Sequence, residues 1–292
     1  MATYRKTHGV NVKSYSSDPD RTYPSGFEGQ LYYNSSDGQI KFIGLGAGAW
    51  ASGGSLNTAA KDRGGVGLQT AALCFGGQIS PPSTVNTEQY DGSSWTETSN
   101  MSTARYAMGS CGVYASAISA GGWVSPSHTN AVESWDGSSW TETTDVNTAR
   151  GGICGIGQVY TAALAATGYN PSPSASGLVE DWDGTSWTEV AEVNTPRGNV
   201  ASRSGTSTAG ILCSGYSNPA SARTGKTEHW NGSSWTEIAD LATGRYGIGG
   251  QGSTSLAAVA FGGNTASSDP AGVVTTEEFT AADFQIKTVT TS

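Results

Sequence analysis

The strongest constraint in this chain is the phrase Asp91-Gly92-Ser93-Ser94-Trp95-Thr96-Glu97, which returns almost letter for letter at Asp136 to Glu142, Asp183 to Glu189 and Asn231 to Glu237. Asp-Gly and Asn-Gly readily take positive φ at a hairpin, so each copy predicts a tight turn leading into a strand that begins on tryptophan. Trp50, Trp95, Trp140, Trp187 and Trp235 follow one another at intervals of 45, 45, 47 and 48 residues. Repeats of that length without a helical pattern are the signature of propeller blades.

The third unit shows the order within a repeat. Asn147 to Arg150 opens it, Gly151 to Gln158 is a strand of small residues, and Thr161 to Ala166 is an apolar one. A Pro/Ser loop, Leu178 to Trp182, the turn and Trp187 to Val190 follow. Strands that converge on a ring axis leave little room for side chains, so the glycine-rich strand is expected innermost and the Trp-led strand at the outer rim. A single blade cannot bury both faces of its sheet, and stacking around a ring supplies the missing contacts.

The expected fold is all-β: a five-bladed β-propeller over 50–292, preceded by an extended N-terminal arm, 1–29, and a β-hairpin with linker, 30–49. Units open near Asn57, Asn100, Asn147, Asn194 and Leu241, and the last ends with Thr276-Glu277-Glu278-Phe279 and lacks the repeated phrase. Its outer strand must come from Phe284 to Val289 or from Trp50-Ala51-Ser52, whose tryptophan stands in register with the others. Closure by the N-terminal segment is favoured because it joins the two chain ends. A six-bladed count stands if the leftover strands form a partial blade. The arm is polar and aperiodic, with Arg5, Lys6, Lys13 and Arg21 against Asp18, Asp20 and Glu28; it is either disordered or extended on a partner.

Composition narrows the function classes. A formal charge of −9 argues against nucleic acid, which calls for a basic stripe to neutralise phosphates. No apolar run is long enough to cross a bilayer, so no membrane insertion is expected, and the first residues lack the apolar core of a secretory signal, which points to synthesis and folding in a cytoplasm. The buried surface must come largely from nine Trp, twelve Tyr and six Phe packed against small residues, including 41 Gly. Cys74, Cys111, Cys154 and Cys213 fall in different units without metal-ligand spacing and read as small buried hydrophobes.

The doublets Gly76-Gly77, Gly121-Gly122 and Gly262-Gly263, the Glu-x-aromatic triplets at Glu88, Glu133, Glu180 and Glu228, and the later tryptophan together resemble kelch repeats, as in the galactose oxidase central domain. Thr167-Gly168 and Ser214-Gly215 depart from the doublet, and Glu277 to Phe279 has no tryptophan after it. The blend of Asn-Thr-Ala-Arg, Phe-Gly-Gly and Ser-Ser-Trp-Thr-Glu phrases is similar to kelch-type structural proteins of tailed, especially marine, bacteriophages. Glu28 to Phe42 is similar to a hairpin near the start of phage fibre proteins. The resemblance implies a non-enzymatic virion protein made in the host cytoplasm. Such a protein would be held to other virion proteins by its arm and hairpin, and would present a propeller to a host-surface glycan, a receptor or a neighbouring virion protein. The alternatives are a carbohydrate-binding or galactose-oxidase-like propeller, and an intracellular interaction scaffold.

Catalysis is not expected, and neither is a cofactor. A metal cage needs several convergent ligands, whereas the histidines are His8 in the arm, His128 in a loop and His229 on a strand. The acid pairs Glu277-Glu278 and Asp181 with Asp183 have a glycosidase's residue types, but they occupy slots that repeat within the chain and read as solvated or turn-stabilising. Arg105, Arg150, Arg197 and Arg245 hold one equivalent position, with Ala60 in the first unit. They either form an anion-binding ring or pair with Glu88, Glu133, Glu180, Glu228 and Glu277. Trp50, Trp95, Trp140, Trp187 and Trp235 are expected to be structural.

The chain aligns with itself, and its loops differ. The turns before each tryptophan are nearly constant, whereas the loops between second and third strands vary and hold seven of the ten prolines. Gln78, Trp123, Tyr169, Tyr216 and Asn264 follow the glycine pairs on that face, with His128 close by. They are either packing beneath their loops or a recognition face, the usual place for binding on a rigid scaffold.

Overall fold

The computed structural model describes residues 13–15, 31–36, 39–42, 53–79, 83–170, 174–217, 222–265, 273 and 275–281. Two compact units are distinguished, 1–52 and 53–292. In the first, β1 (Lys13–Tyr15) pairs in parallel with β2 (Leu31–Asn34), which pairs antiparallel with β3 (Gln39–Phe42). The hairpin expected at 30–43 is therefore seen as β2 and β3, and the arm expected to be aperiodic contributes a strand to it. Trp50 and the segment 284–289, the two candidates for the last outer strand, lie outside the described residues.

The second unit is a series of antiparallel sheets in sequence order. The first holds β4 (Gly64–Leu68), β5 (Ala71–Phe75), β6 (Thr87–Tyr90) and β7 (Trp95–Thr98). The second holds β8 (Gly109–Val113), β9 (Ser116–Ala120), β12 (Val132–Trp135) and β13 (Trp140–Thr143). Its loop folds into the ribbon of β10 (Trp123–Val124) and β11 (Ser127–His128). The third comprises β14 (Cys154–Val159), β15 (Ala162–Ala166), β16 (Val179–Trp182) and β17 (Trp187–Val190). The fourth comprises β18 (Ala201–Thr206), β19 (Ala209–Cys213), β22 (Thr227–Trp230) and β23 (Trp235–Glu237), with β20 (Tyr216–Ser217) and β21 (Ala222–Arg223) as its loop ribbon. The fifth has three described strands, β24 (Gly249–Thr254), β25 (Ala257–Phe261) and β26 (Thr276–Thr280). No helix occurs among the described residues, and the class is all-β with repeated four-stranded antiparallel sheets.

Each glycine-rich first strand is an edge of its sheet and lies beside the equivalent strand of the next: β4 by β8, β8 by β14, β14 by β18 and β18 by β24. The close approach needs glycine. A Cβ on Gly155 would stand 2.6 Å from the Ser110 carbonyl oxygen of the neighbouring strand. Strands β4 and β24 do not adjoin in this way.

The core is the set of seams between successive sheets. Leu73 and Phe75 of the first sheet meet Met108, Ala117, Trp135 and Trp140 of the second. Cys111, Ile118, Ala120 and Val132 of the second meet Ala163, Ala165, Trp182 and Trp187 of the third. Ile156, Leu164, Ala166 and Val179 of the third meet Leu212, Trp230 and Trp235 of the fourth. Each seam thus sets small or aliphatic side chains, joined by Phe75 in the first, against a tryptophan pair, with ring centroids 5.5, 5.1 and 5.2 Å apart in the three pairs. Burying these rings is the main apolar contribution to stability. Most indole N–H groups are also satisfied: Trp140 donates to Thr87 Oγ1 at 2.9 Å and Trp187 to the Thr144 carbonyl at 3.0 Å.

The tight turn expected of the repeated phrase is a four-residue loop, since Tyr90 pairs directly with Trp95. Only its glycine has positive φ, +96° at Gly92. The aspartate instead closes the loop through its side chain: Asp91 Oδ1 accepts from the Ser93 and Ser94 N–H groups, both at 2.8 Å. Asn231 Oδ1 does the same at 2.9 Å, which explains why Asn replaces Asp there.

These donated hydrogen bonds pull Asp91, Asp136 and Asp183 down to about 2 from 3.8. A depressed carboxylate contributes stability that is full above its unfolded value and lost as pH falls through its folded one. We expect a carbonyl-carbon NMR titration to show these three groups ionised until about pH 2, and Asp136→Asn to remove one such step while keeping its loop. Midpoints at the ordinary carboxylate value would refute the loop geometry.

Candidate functional site

At the entrance to each sheet lies an arginine–carboxylate lock, buried in the first four sheets and partly exposed at Glu277 in the fifth. Arg105 Nη2 donates to Glu133 at 2.9 Å, Arg150 Nη2 to Glu180 at 2.7 Å, Arg197 Nη1 to Glu228 at 2.5 Å and Arg245 Nη2 to Glu277 at 2.6 Å. In the first sheet the sequence comparison placed Ala60 at the arginine position. Ala60 does hold that backbone position, Lys61 bridging Gln78 as Gly151 bridges Tyr169, and the lock is made instead by Arg63, three residues further on, which donates to Glu88 at 3.0 Å and to the Thr58 carbonyl at 3.0 Å. It lies outside the repeat's arginine slot, and an arginine close downstream was the available signal.

The same carboxylates accept from the unit's opening backbone. Asn57, Asn147 and Asn194 each donate their N–H to Glu88, Glu180 and Glu228 at 2.6, 2.6 and 2.7 Å, and Ser102 and Ala242 do so to Glu133 and Glu277, both at 2.7 Å. Burial pushes Glu88 up, but the Asn57, Arg63 and Thr58 donors together hold it below its ordinary value. Burial pulls the Arg105 and Arg150 guanidinium groups down, and their Glu133 and Glu180 partners pull back. With carboxylate and backbone acceptors occupying them inside the fold, these arginines hold the strand crossing rather than present a ring to solvent.

The variable loops lie against the segments that open the sheets. Gln78, Trp123, Tyr169, Tyr216 and Asn264 make one equivalent backbone bridge, to Lys61, Tyr106, Gly151, Gly198 and Tyr246 respectively. An invariant backbone thus carries different half-buried side chains. Tyr106 and Tyr246 fill their own positions, while glycine at 151 and 198 leaves room for a ring from the preceding loop. A Cβ on Gly198 would fall 2.3 Å from the Tyr169 ring, and one on Gly151 2.8 Å from His128 Cδ2.

Tyr169 therefore packs across a seam rather than beneath its own loop. Its hydroxyl donates to the Tyr216 carbonyl at 3.2 Å, and burial pushes its phenol well above the ordinary range. His128 meets Trp123 edge to face at 4.3 Å, and burial holds its imidazole below the usual value. Tyr216 and Tyr246 lie 5.6 Å apart, with the Arg223 guanidinium 5.9 and 5.2 Å from the two ring centres. The structure thus forms two clusters: Tyr106, Trp123 and His128 in one, and Tyr169, Tyr216, Arg223 and Tyr246 in the other. Gln78 and Asn264 hold the equivalent places at the two ends of the series. Tyr106, Tyr246 and Arg223 were missed; the signal for the first two was a tyrosine directly after the repeat arginine in the second and fifth units.

Asp183 closes its loop, whereas burial, then the charge of Asp183, pushes Asp181 up. Among the described residues no three His, Cys, Asp or Glu side chains converge as a metal site would require. His229 sits in β22 opposite Ile211, and His8 lies outside the described residues. Cys111, Cys154 and Cys213 are buried, Cys74 is half-buried, and burial pushes the Cys213 thiol up to about 12. No family model matches this chain, and no curated protein matches it.

Proposed function

We propose that this protein is a non-enzymatic virion component of a tailed bacteriophage, in which a kelch-like propeller presents the variable-loop face to a host-surface glycan or to a neighbouring virion protein. The observation that carries the reading is the contrast on that face. One backbone bridge is repeated at every sheet, yet its side chain changes from Gln78 through Trp123, Tyr169 and Tyr216 to Asn264. Constant scaffold with varied, half-exposed aromatics is the pattern of a binding surface. Aromatic faces suit the C–H faces of sugar rings, and the amides of Gln78 and Asn264 suit their hydroxyls. The kelch-type virion likeness of the repeat phrases supports the particle setting. The arm and hairpin, 1–49, are its proposed attachment, and many copies on one particle turn weak contacts into avidity.

Ring closure is part of this reading. Trp140 of the second sheet seats on Phe75, at 4.7 Å between ring centroids, and on Thr87. Phe261 and Thr276 repeat that pair on the fifth sheet, Phe261 is 43% exposed where Phe75 is fully buried, and the first sheet presents a half-buried Trp95. A five-bladed ring seats Trp95 there. A sixth unit between them is the second reading, favoured because β4 and β24 do not lie side by side.

Two measurements test the function. Mass spectrometry of purified particles is expected to find the chain at stoichiometric level; its absence would remove the virion assignment. Joint substitution of Trp123, Tyr169 and Tyr216 by alanine is expected to weaken attachment at least tenfold, while the Trp140, Trp187 and Trp235 seams keep the chain folded. Unchanged binding to glycan arrays, host cells and particle partners would refute the recognition face.

A further inference from the structure

We propose that Tyr216, Arg223 and Tyr246 form a subsite for a carboxylate-bearing sugar, in which the guanidinium grips the carboxylate and the two phenol rings take the pyranose. The subsite gives the recognition face proposed above its ligand class and rests on that reading.

Arg223 differs from the lock arginines in what holds it. Arg63, Arg105, Arg150, Arg197 and Arg245 are each paired with a glutamate inside the fold, whereas Arg223 is half-buried on its loop ribbon and has no carboxylate partner among the described residues. The next cation along the chain, Lys226, is already matched by Glu237 and Asp240. Arg223 lies instead against aromatic rings, 5.9 Å from the Tyr216 centre and 5.2 Å from that of Tyr246, and its Nε is shielded from solvent without an acceptor among the described residues. Ring faces attract the cation but offer its in-plane N–H groups no lone pair, so the fork of donors stays available to an anion.

The local sequence explains why the side chain sits on a ring. Arg223 pairs with Tyr216 across its ribbon as His128 pairs with Trp123. His128 settles over Gly151, whose missing side chain leaves it room. The equivalent place beside Arg223 belongs to Tyr246, which bridges Asn264 as Gly151 bridges Tyr169. That place is filled, so the guanidinium rests against the ring that fills it. Tyr169 occupies the space over Gly198, and its hydroxyl donates to the Tyr216 carbonyl at 3.2 Å, which fixes the strand carrying the other ring. The groups are thus in position before a ligand arrives, and the ordering cost of binding falls.

Three chemistries meet here. A guanidinium gives a carboxylate two parallel N–H bonds, an aromatic face packs on the C–H face of a pyranose, and phenols exchange hydrogen bonds with sugar hydroxyls. The Tyr169 hydroxyl is engaged, but those of Tyr216 and Tyr246 have no hydrogen-bond partner among the described residues. A neutral sugar would leave the guanidinium unanswered, and an acidic peptide would leave the ring faces and phenols unanswered. A sugar acid answers all three.

The test is a panel of glycans ending in glucuronic, galacturonic or sialic acid, each printed beside its carboxyl-reduced form and beside a polyglutamate peptide, and probed with the full chain. The wild-type chain is expected to hold at least one acidic terminus roughly tenfold or more tightly than its reduced form. Arg223→Gln should abolish that preference and leave the weaker neutral binding. Arg223→Lys should keep only part of it, because an ammonium lacks the planar fork, and Tyr246→Ala should weaken acidic and reduced forms alike. Lys226→Gln removes the same unit of charge three residues away and should leave the preference intact. Equal binding of acidic and reduced forms, a preference that survives Arg223→Gln, an equal loss in Lys226→Gln, or retention on the peptide alone would each overturn the subsite. The first three leave the recognition face standing, since glycan is still bound; a wild-type chain that holds no glycan removes the glycan reading of that face as well.

Discussion

Glu180→Ala is expected to destabilise the protein by about 3–5 kcal/mol, because it strands a buried guanidinium. Arg150 is fully buried, and besides Glu180 it donates to the carbonyls of Thr167 and Leu178 at 2.8 and 2.9 Å. The carboxylate also accepts from the Asn147 backbone and side chain at 2.6 and 2.8 Å. Its loss therefore leaves a charge and two donors without their acceptor in one step. Urea unfolding of the variant reads the loss as a lower midpoint. The control is Glu237→Ala, which breaks the Lys226 pair on the surface, where side chains are 37% and 46% exposed. That change is expected to leave the midpoint nearly where it was. Similar losses for both would mean that the repeated locks are not what holds the strand crossings.

Trp187→Ala is expected to cost a comparable amount, about 3–5 kcal/mol, through a cavity rather than a charge. The indole is 7% exposed, packs 5.1 Å from the Trp182 ring centre and donates to Thr144 across the seam between the second and third sheets. Removing it empties the contact between two sheets that share no strand hydrogen bonds, so cooperativity as well as midpoint should fall. Trp95→Ala tests the same residue type at a half-buried place and should cost less unless ring closure buries it. If Trp187→Ala unfolds at the wild-type midpoint, the seams are not the core.

Much of this was legible in the chain because the physics repeats. The tryptophan period, the glycine-rich inner strands and the Asp-Gly-Ser-Ser loops each rest on a local requirement, respectively seam filling, close backbone approach and side-chain closure of a turn, and a local requirement leaves the same letters each time. Arg63 escaped because it reaches the same carboxylate from three residues past the repeat slot, which Ala60 fills, so the contact is kept while the position is not. The clusters on the loop face were only partly legible for a different reason. Tyr169 fills the space that Gly198 leaves empty, and Arg223 lies against Tyr246 of the next unit. Contacts across seams pair positions that no single repeat displays. The tight turn read from Asp-Gly spans four residues because the following serines are the donors the aspartate needs.

The central claim is that the sheets close on themselves, so that the variable loops form one face. Nitroxide pairs at the exposed inner turns supply their own ruler: Thr70 combined in turn with Ala115, Thr161, Thr208 and Leu256, one from each sheet. Closure predicts a Thr70 to Leu256 distance no longer than Thr70 to Thr161, equal to Thr70 to Ala115 in a ring of five and to Thr70 to Thr161 in a ring of six. A Thr70 to Leu256 distance longer than Thr70 to Thr208 would mean a row of sheets that never returns to its start, and would contradict the account.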